Sequence, residues 1–371
     1  MNFDFSDDQK LLKEQVRKFL ADKCPMKVVR RVLDGGEAFA PEVWNGLVEL
    51  GVPATAIPEQ YGGLGLSPLE LCVIAEEIGR AAAPVPFDSS IVLATEALKL
   101  AGSEAQKKKW LPLLAAGKAI GTLAVAEGPQ TPRPRNVATT LGAGRLNGRK
   151  VPVADGEAAT FAIVMAKSAL ALVELGQKGV TRKPVETIDP ARKHAELVFT
   201  DASAELLGGE GEGWRLLEQL YDSAAVYLSF AQVGGAEAAM WMARDYALQR
   251  HAFGRAIGSY QAIKHKLADC YVKLELARSN AYYGAMMLAE HGAQGAGADL
   301  PLAAAAARVA ATEAYDFASR ENIQTHGGIG FTWEADTQFH FRRARLMSLA
   351  IGGPMAWKDK LVTRLEQKNA A

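Results

Sequence analysis

The stretch Ala247–Cys270, ALQRHAFGRAIGSYQAIKHKLADC, joins a helix, a sharp basic and aromatic turn and a second helix without a break in hydrophobic pattern. Tyr246, Ala247 and Arg250 close the first helix, and Phe253 and Gly254 form the turn. Ile257, Ile263, Leu267 and Tyr271 recur at near-helical spacing as the apolar face of the second. Gly254 permits the reversal because it carries no Cβ. An arginine at a helix end, an aromatic in the turn and Gln261 opening the next helix make a small basic pocket suited to a diphosphate with an adenine nearby. The same residues also suit a plain helix connection with a solvated arginine.

Downstream, helical patterns over about 214–250, 256–291, 301–323 and 335–350 are separated by HGAQGAGADLP and THGGIGFTWE, which predicts an up-down four-helix bundle. The six histidines fall in no HExxH or di-iron spacing, so no metal is expected there. Upstream, residues 1 to about 115 read as helical. Ser6 and Gln9 form a capping box before Leu12, Val16, Phe19 and Leu20, and Ser67 with Glu70 forms a second before Leu71, Ile74 and Ile78. Glu76 and Glu77 invite a reading as paired catalytic carboxylates, but neighbours on a helix point about 100° apart, so solvated or cap-paired charges are expected.

Near Gly117 the period changes to short alternating runs. Ala119–Ala126, Thr160–Lys167, Ala169–Leu175 and Ala195–Thr200 read as strands of a barrel or sandwich. GGEGEGW, from Gly208 to Trp214, is no phosphate loop, since no βαβ unit precedes it and Glu210 and Glu212 would repel the anion. The fold class is therefore α+β and mainly α: a helical domain at 1–116, a β-barrel or sandwich domain at 117–207 and a helical bundle at 208–371.

The 371 residues are 49% hydrophobic and 23% charged with zero formal net charge, which gives no electrostatic case for nucleic acid or a membrane surface as partner. Cys24, Cys72 and Cys270 are too few and too scattered for a disulfide framework or a zinc site. With no basic start followed by an apolar run, and no apolar run near 18 residues, neither a signal peptide nor a spanning helix is expected, and a cytoplasmic location fits.

Across its full length the sequence resembles the acyl-CoA dehydrogenase family. The resemblance is carried by IPEQYGGLG and EEIGR, by QKKKWLPLLAAGKAIG and LNGRK, and by RHAFGRAIGSYQ and QTHGGIGFTWEADTQFHFRRAR, in the family's order. It implies a flavoprotein that oxidises acyl-CoA thioesters with FAD and assembles as a dimer or tetramer. It also implies a carboxylate base, and here the sequence departs from the family. Counting from Gly328 and Arg342 puts the usual base at Ile351. Counting back from Arg250, with Tyr246 and Gly234 holding the register, puts the alternative base at Ala224. Asp222 is a weak substitute.

The hydroxyls and indole that hold the flavin ring in the family are replaced by Ala126-Glu127-Gly128, Thr131-Pro132-Arg133 and Pro152-Val153-Ala154, and an arginine that helps bind CoA by Ala225. What remains is the set that reaches a neighbouring subunit's FAD diphosphate and adenosine: Arg250, Phe253, Gln261, Gln324, Gly327 and Gly328. The resemblance thus implies a base-lacking subunit of a heteromeric, sterol side-chain type dehydrogenase. It leaves open a homo-oligomer with a base at Asp222 or Glu127, a non-catalytic binding protein, and a flavin-dependent monooxygenase.

Overall fold

A computed structural model describes residues 5–291 and 299–370. Most of HGAQGAGADLP, expected as a turn, lies outside the described residues. In chain order the elements begin with α1 (Asp7–Lys23), α2 (Met26–Asp34), α3 (Pro41–Glu49), α4 (Pro68–Arg80), α5 (Thr95–Ala101) and α6 (Glu104–Ala115). Eight strands follow: β1 (Gly121–Ala124), β2 (Thr140–Gly142), β3 (Arg145–Ala154), β4 (Phe161–Ala166), β5 (Ala169–Glu174), β6 (Val180–Val185), β7 (His194–Ser203) and β8 (Glu205–Leu207). Then come α7 (Gly213–Gln249), the hairpin β9 (His251–Ala252) and β10 (Arg255–Ala256), α8 (Gln261–His291), α9 (Asp299–His326), α10 (Thr337–Leu349) and α11 (Pro354–Ala370). The backbone divides into two compact units, one of Met1–Val29, Cys72–Ala83 and Ala225–Ala371, the other of Arg30–Leu71 and Pro84–Ala224.

The second unit holds two four-stranded sheets of order β1-β4-β5-β8 and β2-β3-β7-β6, and neither closes into a barrel. The Thr122 hydroxyl on β1 donates to the Ala154 carbonyl on β3 at 2.6 Å and ties one sheet to the other. β4 is buried along its whole length, which accounts for the unbroken apolar run FAIVMA. β3 escapes a reading by hydrophobicity because its buried positions alternate with Arg145, Asn147 and Arg149, yet it pairs with β7 over most of its length. At the edge of its sheet, β6 carries Arg182, Lys183 and Pro184, residues that discourage further strand pairing.

The first unit is built on α9, which packs against α8, α10 and α11. It is tied to α7 by buried polar bonds from Arg308 to Gln232 (2.6 Å) and from Gln232 to Thr312 (3.2 Å). The apolar face of α8 differs from the expected one. Tyr271 is exposed, and the buried stripe runs through Cys270, Leu274, Ala277, Ala281 and Leu288. α8 packs against α9, whose buried side includes Ala303, Ala304, Ala307 and Ala311, and small residues allow close helix approach.

One local expectation also changes, at Glu76 and Glu77. The Ser6–Gln9 capping box is present in both directions, at 3.2 and 3.0 Å. At the start of α4, Ser67 accepts from the Leu69 N–H and donates to Glu70. Glu76 and Glu77 are not solvated but ion-paired. Both are buried in the first unit: Glu76 accepts from Lys13 (2.5 Å) and from Arg278, and Glu77 from Arg17 (2.8 Å) and Arg80 (3.0 Å). Burial opposes the charge of Glu76, and Lys13 and Arg278 outweigh it to hold the carboxyl below its usual range.

Candidate functional site

The turn after α7 is a two-residue antiparallel hairpin, with Arg255 opposite Ala252 and Ala256 opposite His251. Its tip residues Phe253 and Gly254 have φ of +51° and +83°, the signs a type I′ connection requires at both positions. Glycine adopts this freely, whereas phenylalanine does so under strain of roughly 1 kcal/mol. The Phe253 ring is also 97% exposed. A strained backbone that holds an apolar ring in solvent contributes nothing to this chain's core, and it places the ring for contact with something else. The hairpin is otherwise well fixed: the Tyr260 hydroxyl donates to the Ala252 carbonyl (3.0 Å), the Ile257 N–H donates to the Arg250 carbonyl (2.8 Å), and Arg255 lies 4.0 Å over the Tyr260 ring.

Two contacts bind this hairpin region to the end of α9. The Tyr246 ring stacks on His326, centroids 4.1 Å apart and planes 25° apart, and Lys266 pairs with Glu321 at 3.1 Å. Hence Arg250 and Gln261 on one side, and Gln324, Gly327 and Gly328 on the other, belong to one locally braced surface of the first unit. Arg250, Phe253, Gln261, Gln324, Gly327 and Gly328 are all exposed. Among the described residues the side chains of Arg250, Gln261 and Gln324 have no hydrogen-bond or ion-pair partner. Gly327 has φ +63°, and a Cβ at Gly327 or Gly328 would meet nothing within 4 Å, so this backbone faces open space. An unpaired guanidinium, two free carboxamides and bare glycine N–H groups suit a diphosphate and its adenosine. Ile329, Phe331 and Trp333 continue the surface with exposed apolar side chains, in a stretch that the sequence reads only as a separator between helices.

The base positions are apolar in the structure as in the sequence. Ile351 is buried in the first unit, where its carbonyl accepts from the Trp357 indole at 3.2 Å. In the second unit Ala224 is fully buried and Asp222 is buried on α7. Of the positions matched to the family's flavin-ring segments, Thr131 alone carries a side-chain hydroxyl, and none carries an indole. Val153 is fully buried, and the carbonyls of Ala126 and Ala154 are taken by the Val151 N–H and the Thr122 hydroxyl. Glu127 is a poor base. Its carboxylate accepts from Lys150 (2.8 Å), the Thr139 hydroxyl (2.6 Å) and the N–H groups of Ala138 (2.8 Å) and Thr139 (3.0 Å). Burial works against its charge, yet these donors hold its pKa at about 2. The residues therefore fit the diphosphate and adenosine end of FAD and do not fit its ring.

The family model for the acyl-CoA dehydrogenase N-terminal domain matches residues 6–118, and that for the C-terminal domain matches residues 211–354. The chain belongs to the acyl-CoA dehydrogenase family. It is thus a member of a family of FAD-dependent oxidoreductases. It is 31% identical over 363 residues to acyl-CoA dehydrogenase IpdE2 of Mycobacterium tuberculosis, covering 98% of this chain and 97% of that one. Among solved structures it is similar to the ChsE4-ChsE5 complex from Mycobacterium tuberculosis, with TM-score 0.88, 26% identity and 99% of each chain covered. It is also similar to a variant of the Tcur3481-Tcur3483 steroid acyl-CoA dehydrogenase, with TM-score 0.87, 27% identity, and 98% of this chain and 99% of that one covered. Among the described residues no helix is long and apolar enough to cross a membrane and no His, Cys, Asp and Glu cluster could hold a metal ion.

Proposed function

We propose that this chain is the base-lacking subunit of a heteromeric acyl-CoA dehydrogenase and that it completes the FAD site of a catalytic partner. The observation that carries this reading is an asymmetry. The surface bearing Arg250, Gln261 and Gln324 is open and unpaired, while Ile351 and Ala224 leave both base positions apolar and buried. The likeness to the ChsE4-ChsE5 complex and to the two-component Tcur3481-Tcur3483 steroid acyl-CoA dehydrogenase supports a heteromer, and the steroid dehydrogenase supports a bulky acyl-CoA as the substrate.

In this assembly Arg250 neutralises the diphosphate through its fork of N–H donors, Gln261 and Gln324 hydrogen-bond the diphosphate or the adenosine, and Phe253 covers the adenine. Gly327 and Gly328 admit close approach of backbone N–H groups. FAD, when bound, accepts the hydride from the acyl β-carbon. The α-proton goes to a carboxylate of the partner, because this chain has no suitably placed acceptor for it.

The test is co-purification from the native host followed by a flavin count. A heteromer carries about one FAD for every two chains. A yellow protein of this chain alone, with one FAD per chain and acyl-CoA dehydrogenase activity, would overturn the reading.

A further inference from the structure

In the second unit, Phe87–Ala94 is a π-helix of eight residues, buried everywhere except at the half-buried Asp88. π-Helices are rare and occur mostly as single-turn bulges, so a run of this length needs something that holds it. The wide turn closes on Ser90, whose carbonyl accepts both from the Thr95 N–H and from the Thr95 hydroxyl, the latter at 2.9 Å. The near end is fixed by three consecutive side chains. Asp88 accepts from Arg192 Nη1 (2.8 Å), the Ser89 hydroxyl donates to Asp155 (2.6 Å), and the Ser90 hydroxyl accepts from the Gly121 N–H (3.1 Å).

Arg192 joins two of these ties. Its guanidinium also donates through Nη2 to Asp155 at 2.9 Å, and so bridges a residue 104 positions away to one 37 positions away. The connection from β6 to β7 delivers it: the Ala191 N–H donates to Asp189 Oδ1 (3.2 Å) and the Arg192 N–H to the Asp189 carbonyl (3.0 Å). Asp155 has φ +52°, which aspartate tolerates, and its N–H donates to the Lys193 carbonyl at 2.8 Å. Arg192 and Asp155 are both buried, and among the described residues the guanidinium has no partner beyond the two carboxylates.

The register of this helix matters to β1, on which it packs. A Cβ on Gly121 would lie 2.5 Å from the Ala94 Cβ, so the approach needs glycine on the strand and a small residue opposite. Leu93 and Thr95 are both larger than Ala94. A slip of one residue brings one of them to that place and pushes β1 aside. Loss of the arginine supplies the drive, because two carboxylates, one of them buried, would then share a site without a cation.

We propose that Arg192 is a conformational lock: by bridging Asp88 and Asp155 it holds Phe87–Ala94 in the π form, and its release lets the segment slip into an α-helix and displaces β1. The lock lies wholly within the second unit and does not depend on which chain supplies the base.

The test is hydrogen–deuterium exchange of the full-length chain, read by mass spectrometry. In Arg192→Met, amides over 87–95 and 121–124 should exchange roughly tenfold faster than in the wild type, while those of α3 and β5 stay within about twofold. Asp88→Asn leaves Arg192 an acceptor and removes only the charge, so it should raise exchange in the same two segments about threefold, and it decides the matter if Arg192→Met does not fold. The proposal is overturned if the folded variants exchange like the wild type over 87–95, or if 87–95 loosens while 121–124 does not, which is fraying without a slip. A rise confined to 186–193 overturns it too, by making Arg192 an anchor of its own loop, as does an equal rise throughout the unit, which makes it a general stabiliser.

Discussion

Tyr246 at the end of α7 stacks on His326 at the end of α9, 4.1 Å between ring centroids, and this contact braces the hairpin of Arg250 against the turn of Gly327. Neither ring need touch a ligand to matter, because a stacked pair contributes about 1 kcal/mol beyond its buried area. Tyr246→Ala should leave the chain folded and speed flavin loss from the assembled complex about fivefold. Tyr246→Phe keeps the stack and should behave as wild type. Flavin fluorescence released after dilution measures both, and equal rates in Tyr246→Ala and wild type would show that the brace is irrelevant.

Phe253 sits where the hairpin requires a positive φ, and its ring is almost wholly in water. Asparagine tolerates this conformation and phenylalanine does not, so Phe253→Asn should stabilise the isolated chain by up to about 1 kcal/mol in urea denaturation. The same variant should weaken flavin retention in the complex. Opposite signs in the two assays are the signature of a residue kept for contact at the expense of local stability. A variant that is both less stable and fully able to hold flavin would contradict the assignment.

Arg250 should not tolerate lysine, because an ammonium cannot reproduce the paired N–H donors that a guanidinium offers a diphosphate. Arg250→Lys is expected to lower the flavin content of the co-purified complex about as far as Arg250→Ala. Absorbance at the flavin band per mole of protein reports it, and full occupancy in Arg250→Lys would reduce this residue to a point charge.

The legible parts of this chain are those written in nearby residues. Ser6 with Gln9 announces a helix start, and the spacing from Arg250 through Phe253 to Gln261 announces the turn, because each signal is complete within about a dozen positions. The illegible parts have partners far along the chain. Glu76 reads as a surface charge until α4 meets Lys13, 63 residues away, and Arg278, 202 residues away. α8 hides its inner face because that face is mostly alanine and cysteine, while Tyr271, Val272 and Leu276 point outward. β3 is hidden in a similar way: a strand with one face in water carries Arg145 and Arg149 and shows little hydrophobic signal. The exposed Ile329, Phe331 and Trp333 had a usable sign, since three large apolar residues next to Gly327-Gly328 are hard to account for in a loop facing water.

Asp222 is the acid nearest in sequence to the alternative base position, and it separates a relocated base from a base supplied by the partner. If Asp222 took the α-proton, its amide variant would lose about 10²- to 10⁴-fold in rate. We expect Asp222→Asn to change the dehydrogenation rate of the complex by less than about twofold. Stopped-flow bleaching of the flavin on mixing with acyl-CoA gives the rate directly, and a loss of a hundredfold or more would return the base to this chain.

The Glu127–Lys150 pair has a defined dependence on pH. Burial resists the charge of Glu127, but Lys150, Thr139 and two backbone N–H groups lower its pKa from 4.5 to about 2 in the folded chain. A carboxylate with a depressed folded pKa contributes stability that is present above the unfolded value and is lost as pH falls through the folded value. The window therefore runs from about pH 4.5 down to about pH 2. Glu127→Gln removes this contribution and leaves Lys150 buried without its counter-charge, a change that costs about 3 kcal/mol when a buried pair is broken from one side. Denaturation midpoints of wild type and variant should differ most at neutral pH and converge across that window. A gap that stays constant from pH 7 to pH 3 would mean that Glu127 acts through shape and hydrogen bonding alone, with no linkage to its charge.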